Sequence, residues 1–135
     1  MGGLVCLGAA FSAQGAPRQA TALLQCHVTY AGSTQVVEAR PVSDPYPVPS
    51  VDIGGRFRFK AVMVGQARQV ESIALYAYLD TPVQPVMIHQ ALHSPPYRAS
   101  TDDGQPYNLT GQQHLYAGPV ERELIYHCML QGVEP

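Results

Sequence analysis

Two cysteines near opposite ends of the chain place the strongest constraint on its fold. Cys26 lies in the apolar, strand-like segment Leu23–Tyr30, and Cys128 lies in a comparable segment, Leu124–Leu130. A disulfide between them would join the first strand of a domain to its last strand. The pair therefore predicts a fold whose ends meet, in an oxidising compartment where the bridge persists. In a cytosolic chain the same two residues would be small buried apolar side chains.

The first residues have features of a secretory signal peptide. The apolar stretch in residues 1–15 is too short to span a bilayer, and Ala13 and Gly15 supply the small residues that a signal peptidase requires. No basic residue precedes the apolar stretch, which departs from the usual pattern. Removal of this segment would also remove Cys6. We expect residues 16–135 to form one domain that is periplasmic or secreted.

Alternation of apolar and polar residues predicts strands throughout the chain, and helical periodicity is hard to find. The predicted strands cover residues 22–30, 34–40, 56–64, 69–79, 86–93, 112–117 and 120–130. Short strands separated by turn residues are typical of a sandwich or barrel. We therefore predict an all-β, single-domain antiparallel β-sandwich of about seven strands. It would be immunoglobulin-like in general shape, with its first and last strands linked by the disulfide.

Two connections are candidates for contact with a partner. Residues 41–50 contain four prolines, so the chain there is extended and unable to join a central ladder. Residues 94–108 form the longest stretch without periodicity, and loops of that length in a compact domain are often functional. The side chains expected to contact a partner are Tyr46, Tyr97, Arg98 and Tyr107. In the alternative interpretation, these tyrosines close the ends of the sandwich.

A histidine stands beside each cysteine, and the placement of the disulfide decides whether the two histidines meet. If the first and last strands are antiparallel neighbours with Cys26 opposite Cys128, His27 lies directly across from His127 on the outward face. If the bridge crosses between two sheets, the histidines point away from each other. A neighbouring pair could ligate a metal or respond to pH. Otherwise, the two imidazoles are solvated beside a structural disulfide.

The segment Met87–His93 offers a second candidate metal site. Regular alternation would place Met87, His89 and His93 on one face of a strand. Thioether sulfur and imidazole nitrogen are ligands that copper favours. Met63, His114 and Met129 could add ligands if the fold gathers them. The spacing matches no familiar copper motif, and strand histidines commonly hydrogen-bond to local groups instead.

Basic residues alternate with apolar ones in the third predicted strand. Arg56, Arg58 and Lys60 are three of the eight basic residues of the chain, and they share one face. This stripe could contact an acidic partner or a glycan. If the third and last predicted strands are neighbours, Glu121 and Glu123 would instead balance its charge.

Composition and motifs narrow the functional classes. A net charge of −2 gives no basic excess for nucleic-acid binding, and we expect no membrane span. Nucleophile-elbow, phosphate-loop and zinc-hydrolase motifs are absent from the sequence, so we predict no enzyme activity and no cofactor. We expect a periplasmic binding or accessory module that contacts a protein or glycan partner of the envelope through loops 41–50 and 94–108. The alternatives are a periplasmic copper carrier and a secreted inhibitor of a hydrolase.

Overall fold

The computed structural model describes residues 2–3, 8, 21–97, 105–117 and 122–135. Regular structure in these ranges consists of strands alone, and none of it is a helix that could cross a membrane. The signal peptide predicted at residues 1–15 lies outside the described residues, apart from positions 2, 3 and 8. Arg98 lies outside them as well.

The described residues form ten strands, of which the seven longest correspond to the seven predicted strands. The strands are β1 Leu23–Tyr30, β2 Ser33–Ala39, β3 Pro41–Val42, β4 Val51–Ile53, β5 Phe57–Gln66, β6 Gln69–Leu79, β7 Val86–His93, β8 Tyr107–Asn108, β9 Gln113–Ala117 and β10 Arg122–Gln131. The three additions, β3, β4 and β8, are two or three residues long and pair only with β5 or β10. Such short strands carry too little alternation to be recognised in a sequence.

The strands form two sheets that pack face to face. In the first sheet the order is β2-β1-β10, and β8 and β9 both pair with the far side of β10. In the second sheet β3 and β4 pair with one side of β5, and β6 and β7 follow on the other side. All pairs are antiparallel except β3–β5, where the proline-rich segment adds a two-residue edge strand. The predicted antiparallel sandwich is confirmed.

Period-two alternation places one side of each long strand in the core between the sheets. In β5, Phe57 and Phe59 are fully buried, and each burial contributes about 1.5–3 kcal/mol. The ring of Phe59 packs against that of Tyr126 from the first sheet, with centroids 5.1 Å apart. The largest fully buried side chains are Tyr126, Phe57, Phe59, Leu24, Ile53, Met63, Ile73, Leu75, Leu124, Leu130, Val28 and Val133.

The hairpin turns define the register of the strands they connect. Ala31 and Gly32 join β1 to β2 with φ of 51° and 81°, as a two-residue type I′ turn requires. The β5–β6 turn lies at Ala67-Arg68. Gly65 lies within β5 at a register shift, where its backbone comes within van der Waals contact of β6. It marks a bulge rather than the end of the strand.

The disulfide Cys26–Cys128 forms within the first sheet, between directly paired residues of β1 and β10 whose Cα atoms are 4.0 Å apart. The link between first and last strands is therefore confirmed. In immunoglobulin domains the characteristic bridge joins two sheets, so the likeness here is one of general shape. The start of β1 and the end of β10 meet at one end of this sheet, and backbone hydrogen bonds tie both to the β5–β6 turn, from Ala22 N–H to Ala67 O and from Glu134 N–H to Arg68 O.

Candidate functional site

The loop residues predicted to contact a partner have very different exposures. Tyr97 is 6% exposed and packs in the core, and its hydroxyl donates to the His93 carbonyl oxygen over 3.2 Å. It is therefore not a surface contact residue, and the end-closing interpretation is correct for it. Tyr107 is partly buried and begins β8 opposite Leu130. Tyr46 is 90% exposed, and among the described members of the set it alone is fully available to a partner.

The outer face of the second sheet carries a group of side chains that we call the tyrosine face. Its members are Lys60, Tyr76, Tyr78 and Gln90. Lys60, Tyr76 and Gln90 lie side by side on β5, β6 and β7. The rings of Tyr76 and Tyr78 are stacked with centroids 6.4 Å apart, and the Lys60 Nζ lies 5.4 Å from the Tyr76 centroid. A cation thus lies over the ring of Tyr76, beside the stacked pair.

The sequence already contained the signal for this face. Ile73, Leu75 and Ala77 are apolar residues of β6 and point into the core, so alternation sends Tyr76 and Tyr78 to the opposite side. The tyrosines predicted to contact a partner all lie in the loops, so this pair was not predicted. Burial and the neighbouring Tyr76 raise the pKa of Tyr78, so its hydroxyl remains a neutral hydrogen-bonding group.

Arg58 neighbours the tyrosine face but is already engaged. Its Nε donates to the Ser50 hydroxyl over 2.7 Å, and its Nη2 donates to the Ser50 carbonyl oxygen over 3.0 Å. Its Nη1 lies 3.9 Å from an Asp52 carboxylate oxygen and 4.0 Å from one of Asp80. These contacts anchor the end of loop 41–50 against β5.

The expected balance of the basic stripe by the acidic residues of the last strand is wrong, because β5 and β10 belong to different sheets. Glu123 instead pairs with His114 at 2.6 Å, and Glu121 lies outside the described residues. Among the residues that the structure describes, no carboxylate lies within 4.0 Å of the Lys60 ammonium group. Lys60 is therefore the cation of this face that can receive an external anion.

An open cavity of about 160 Å³ adjoins the tyrosine face. It is lined by Ser50, Lys60, Tyr78 and Pro85. Ser50 comes from loop 41–50 and Pro85 from the β6–β7 connection, so the cavity joins the face to the only predicted contact loop that is fully described. Hydroxyl, ammonium and aromatic groups together line a space large enough for one small ring.

His89 points into the core and connects the two sheets. Its Nε2 lies 2.7 Å from the Tyr126 hydroxyl, and the two rings meet edge to face with centroids 5.5 Å apart. Burial lowers the pKa of His89 and raises the pKa of Tyr126 to about 12. Both groups are thus held neutral, and their hydrogen bond serves as a core contact between the sheets.

The predicted copper set of β7 is separated by an irregularity in the strand. His89 pairs with Ala77, but Met87 pairs with Tyr78, because the register shifts between these two pairs. Met87 therefore lies on the outer side, while His89 and His93 lie on the inner side. Burial also lowers the pKa of His93. The expectation that all three share one face is wrong, and Met63, a further candidate ligand, is fully buried in the core.

His27 and His127 are directly paired on the outer face of the first sheet, as the neighbouring-strand alternative predicted. Their rings stack with centroids 4.7 Å apart and an interplanar angle of 4°. The Nδ1 of His27 is buried and has no hydrogen-bond partner among the described residues. In the part of the chain that the structure describes, no group of three or more His, Cys, Asp or Glu residues is placed to hold a metal ion.

The fold and its surfaces define a small, disulfide-bonded β-sandwich with an aromatic and cationic face on one sheet and a histidine pair on the other. Comparison with known protein families, with curated proteins and with solved structures found no match.

Proposed function

We propose that the protein is an exported binding module that holds an acidic glycan against the tyrosine face. The observation that carries this proposal is the stacked Tyr76–Tyr78 pair beside Lys60, which has no carboxylate partner among the described residues. Tyrosine combines a large apolar ring with a polar hydroxyl, so it can pack against the C–H face of a sugar and also hydrogen-bond to it. An ammonium group beside the rings can receive the carboxylate of a uronic acid.

The surroundings of the face support the same function. The two tyrosines are presented by β6, a central strand flanked by β5 and β7, which holds them more rigidly than a loop would. The adjoining cavity offers the Ser50 and Tyr78 hydroxyls, and the exposed Gln90 offers an amide. The disulfide supports the oxidising location, because such bridges persist in exported proteins. The periplasm remains our proposed compartment.

A protein partner is the second candidate, and the edge strand β7 favours it. Met87 and Leu92 are apolar and 49% and 66% exposed, and they lie on the same side of the sheet as the tyrosine face. Unpaired edge strands with exposed apolar side chains are common sites of strand addition by another chain. The inhibitor hypothesis depended on loop 94–108, much of which lies outside the described residues, and it stays a prediction.

Titration with two matched sugars tests the glycan proposal. The oxidised protein is titrated by calorimetry with an oligogalacturonate and with a neutral malto-oligosaccharide of equal length. We expect binding of the acidic sugar, with affinity reduced about two- to tenfold in Tyr76→Ala, because the contact with one aromatic ring contributes on the order of 0.5–1.5 kcal/mol. Lys60→Gln should remove the preference for the acidic sugar.

Tyr46→Ala is the control, since Tyr46 is exposed but is not part of the tyrosine face. Failure of both sugars to bind would refute the glycan proposal and favour the protein partner. Binding that survives both Tyr76→Ala and Lys60→Gln but is lost in Tyr46→Ala would move the site to loop 41–50.

A further inference from the structure

We propose that His27 and His127 form a copper(I) site on the outer face of the first sheet, with Met129 as the third ligand. This site lies on the opposite side of the sandwich from the tyrosine face and does not depend on the proposed glycan function. The set differs from the β7 set that the sequence suggested, because strand pairing rather than spacing along one strand brings these residues together.

Covalent structure holds the two histidines in register. They form the pair next to Cys26 and Cys128 in the β1–β10 ladder, so the disulfide prevents β1 from sliding along β10. Both strands are also interior to the sheet, with β2 on one side and β8 and β9 on the other. Metal sites gain affinity when the backbone that carries their ligands is fixed before the ion arrives.

The histidine pair has an unfulfilled coordination capacity. The buried Nδ1 of His27 has no hydrogen-bond partner among the described residues, whereas buried polar atoms in proteins are nearly always paired. The rings are stacked in parallel, so their nitrogen lone pairs lie in separate planes and do not converge. A turn of the rings about their Cβ–Cγ bonds, which are broad torsions, would aim one nitrogen of each ring at a shared ion.

Met129 supplies the preference for copper(I). It follows His127 by two residues and therefore lies on the same outward face, where it pairs with Gln25 of β1. It is a diagonal neighbour of His27, at a separation that a long side chain can bridge. Thioether sulfur is a soft ligand that selects copper(I), and imidazole also suits copper.

The other ligands near this face disfavour zinc. Protein zinc sites take three or four ligands from Cys, His and carboxylates, and no such group of three exists among the described residues. His114 lies on the same face, but its Nδ1 is 2.6 Å from a Glu123 carboxylate oxygen. Copper(I), in contrast, is stable with two or three ligands.

A chelator competition tests the site. The oxidised protein is titrated into copper(I) bound by bathocuproine disulfonate, under argon, with ascorbate present because it leaves disulfides intact. We expect one copper per chain to leave the chelator. His127→Gln should weaken binding by more than about 100-fold, beyond what loss of an outer-shell group causes. Met129→Leu should also weaken copper(I) binding, because it removes the soft thioether ligand.

His114→Gln is the matched control, because it removes a histidine of the same face that the proposed site does not use. Each variant is melted beside the wild type, which separates lost ligation from lost folding. The proposal is overturned if the wild type takes no copper from the chelator, or if His127→Gln takes as much as the wild type does. Equal weakening by His114→Gln would also overturn it, since that result indicates adventitious imidazole binding.

Discussion

Reduction of the Cys26–Cys128 bond should destabilise the fold more than any other single chemical change. The bond closes a loop across 102 residues of sequence. In the chain-entropy treatment, a loop of this length is worth roughly 4.7 kcal/mol at 25 °C. The entropy of unfolding is roughly 2.1 cal/mol/K per residue, so a chain of this size would melt roughly 15–20 °C lower without the bond.

Scanning calorimetry of the same protein with and without a phosphine reductant measures this effect directly, because the two samples differ only in the bond. The double variant Cys26→Ala/Cys128→Ala provides a second comparison with no thiol to reoxidise. The single variant Cys128→Ser should be less stable than the double variant, because it places a hydroxyl at a fully buried position and leaves Cys26 as a free thiol. A difference below about 3 °C between oxidised and reduced protein would refute the loop-entropy reasoning.

Three smaller perturbations test the core and the bulge. Tyr126→Phe should cost about 1 kcal/mol in urea unfolding, because it leaves the partly buried His89 nitrogen without its partner; an unchanged midpoint would contradict this. Burial lowers the pKa of His89, so the unfolded chain binds more protons and stability should fall as the pH drops below about 6.5. His89→Leu should reduce that dependence without abolishing it, because burial lowers the pKa of His93 as well, and an unaltered pH profile would reject the contribution of His89. Gly65→Ala should cost about 1–3 kcal/mol, because its Cβ would collide with the Gln69 carbonyl oxygen. An unchanged urea midpoint for Gly65→Ala would argue against this collision.

The sequence was most informative where strand pairing is regular. Alternation gave the seven long strands, and the two cysteines offered two geometries for the first and last strands. Once β1 and β10 are antiparallel neighbours with Cys26 opposite Cys128, His27 must lie opposite His127, and the period of two places both histidines on the outward face. Nothing in the residues alone chose between a bridge within one sheet and a bridge between sheets, because that choice depends on how whole strands pack.

The predictions that were wrong concern residues at which regular strand pairing ends. The register shift in β7 turns the Met87 side chain to the outer side, and no residue type in that strand indicates such a shift in the sequence. Tyr97 was named as a contact residue of loop 94–108, yet it fills space at the end of the core, as the alternative interpretation of the loop tyrosines predicted. The outward orientation of Tyr76 and Tyr78 could be predicted from alternation. Their part in a candidate site could not, because it depends on Lys60 and Ser50, which come from other segments of the chain.

The two proposed sites lie on opposite faces of the sandwich, and a short series of side-chain contacts through the core connects them. Tyr126 precedes His127 in β10, and its side chain points into the core. Its ring packs against the ring of Phe59, and Phe59 precedes Lys60 of the tyrosine face. Alternating residues of a strand point to opposite faces, so a ring turn at His127 moves no atom that contacts Lys60 directly. We therefore expect copper(I) to change the affinity for the acidic glycan by less than about fivefold, the lower limit of typical allosteric coupling.

Glycan titrations of the same preparation, with and without one equivalent of copper(I), measure this coupling. Additivity is the usual result for sites that share no partners. A larger change in affinity would mean that the Tyr126–Phe59 contact shifts when the histidines turn. In that case Phe59→Leu should reduce the coupling while leaving copper binding intact, because Phe59 belongs to the second sheet and lies in the core, away from the outer face that carries His27 and His127.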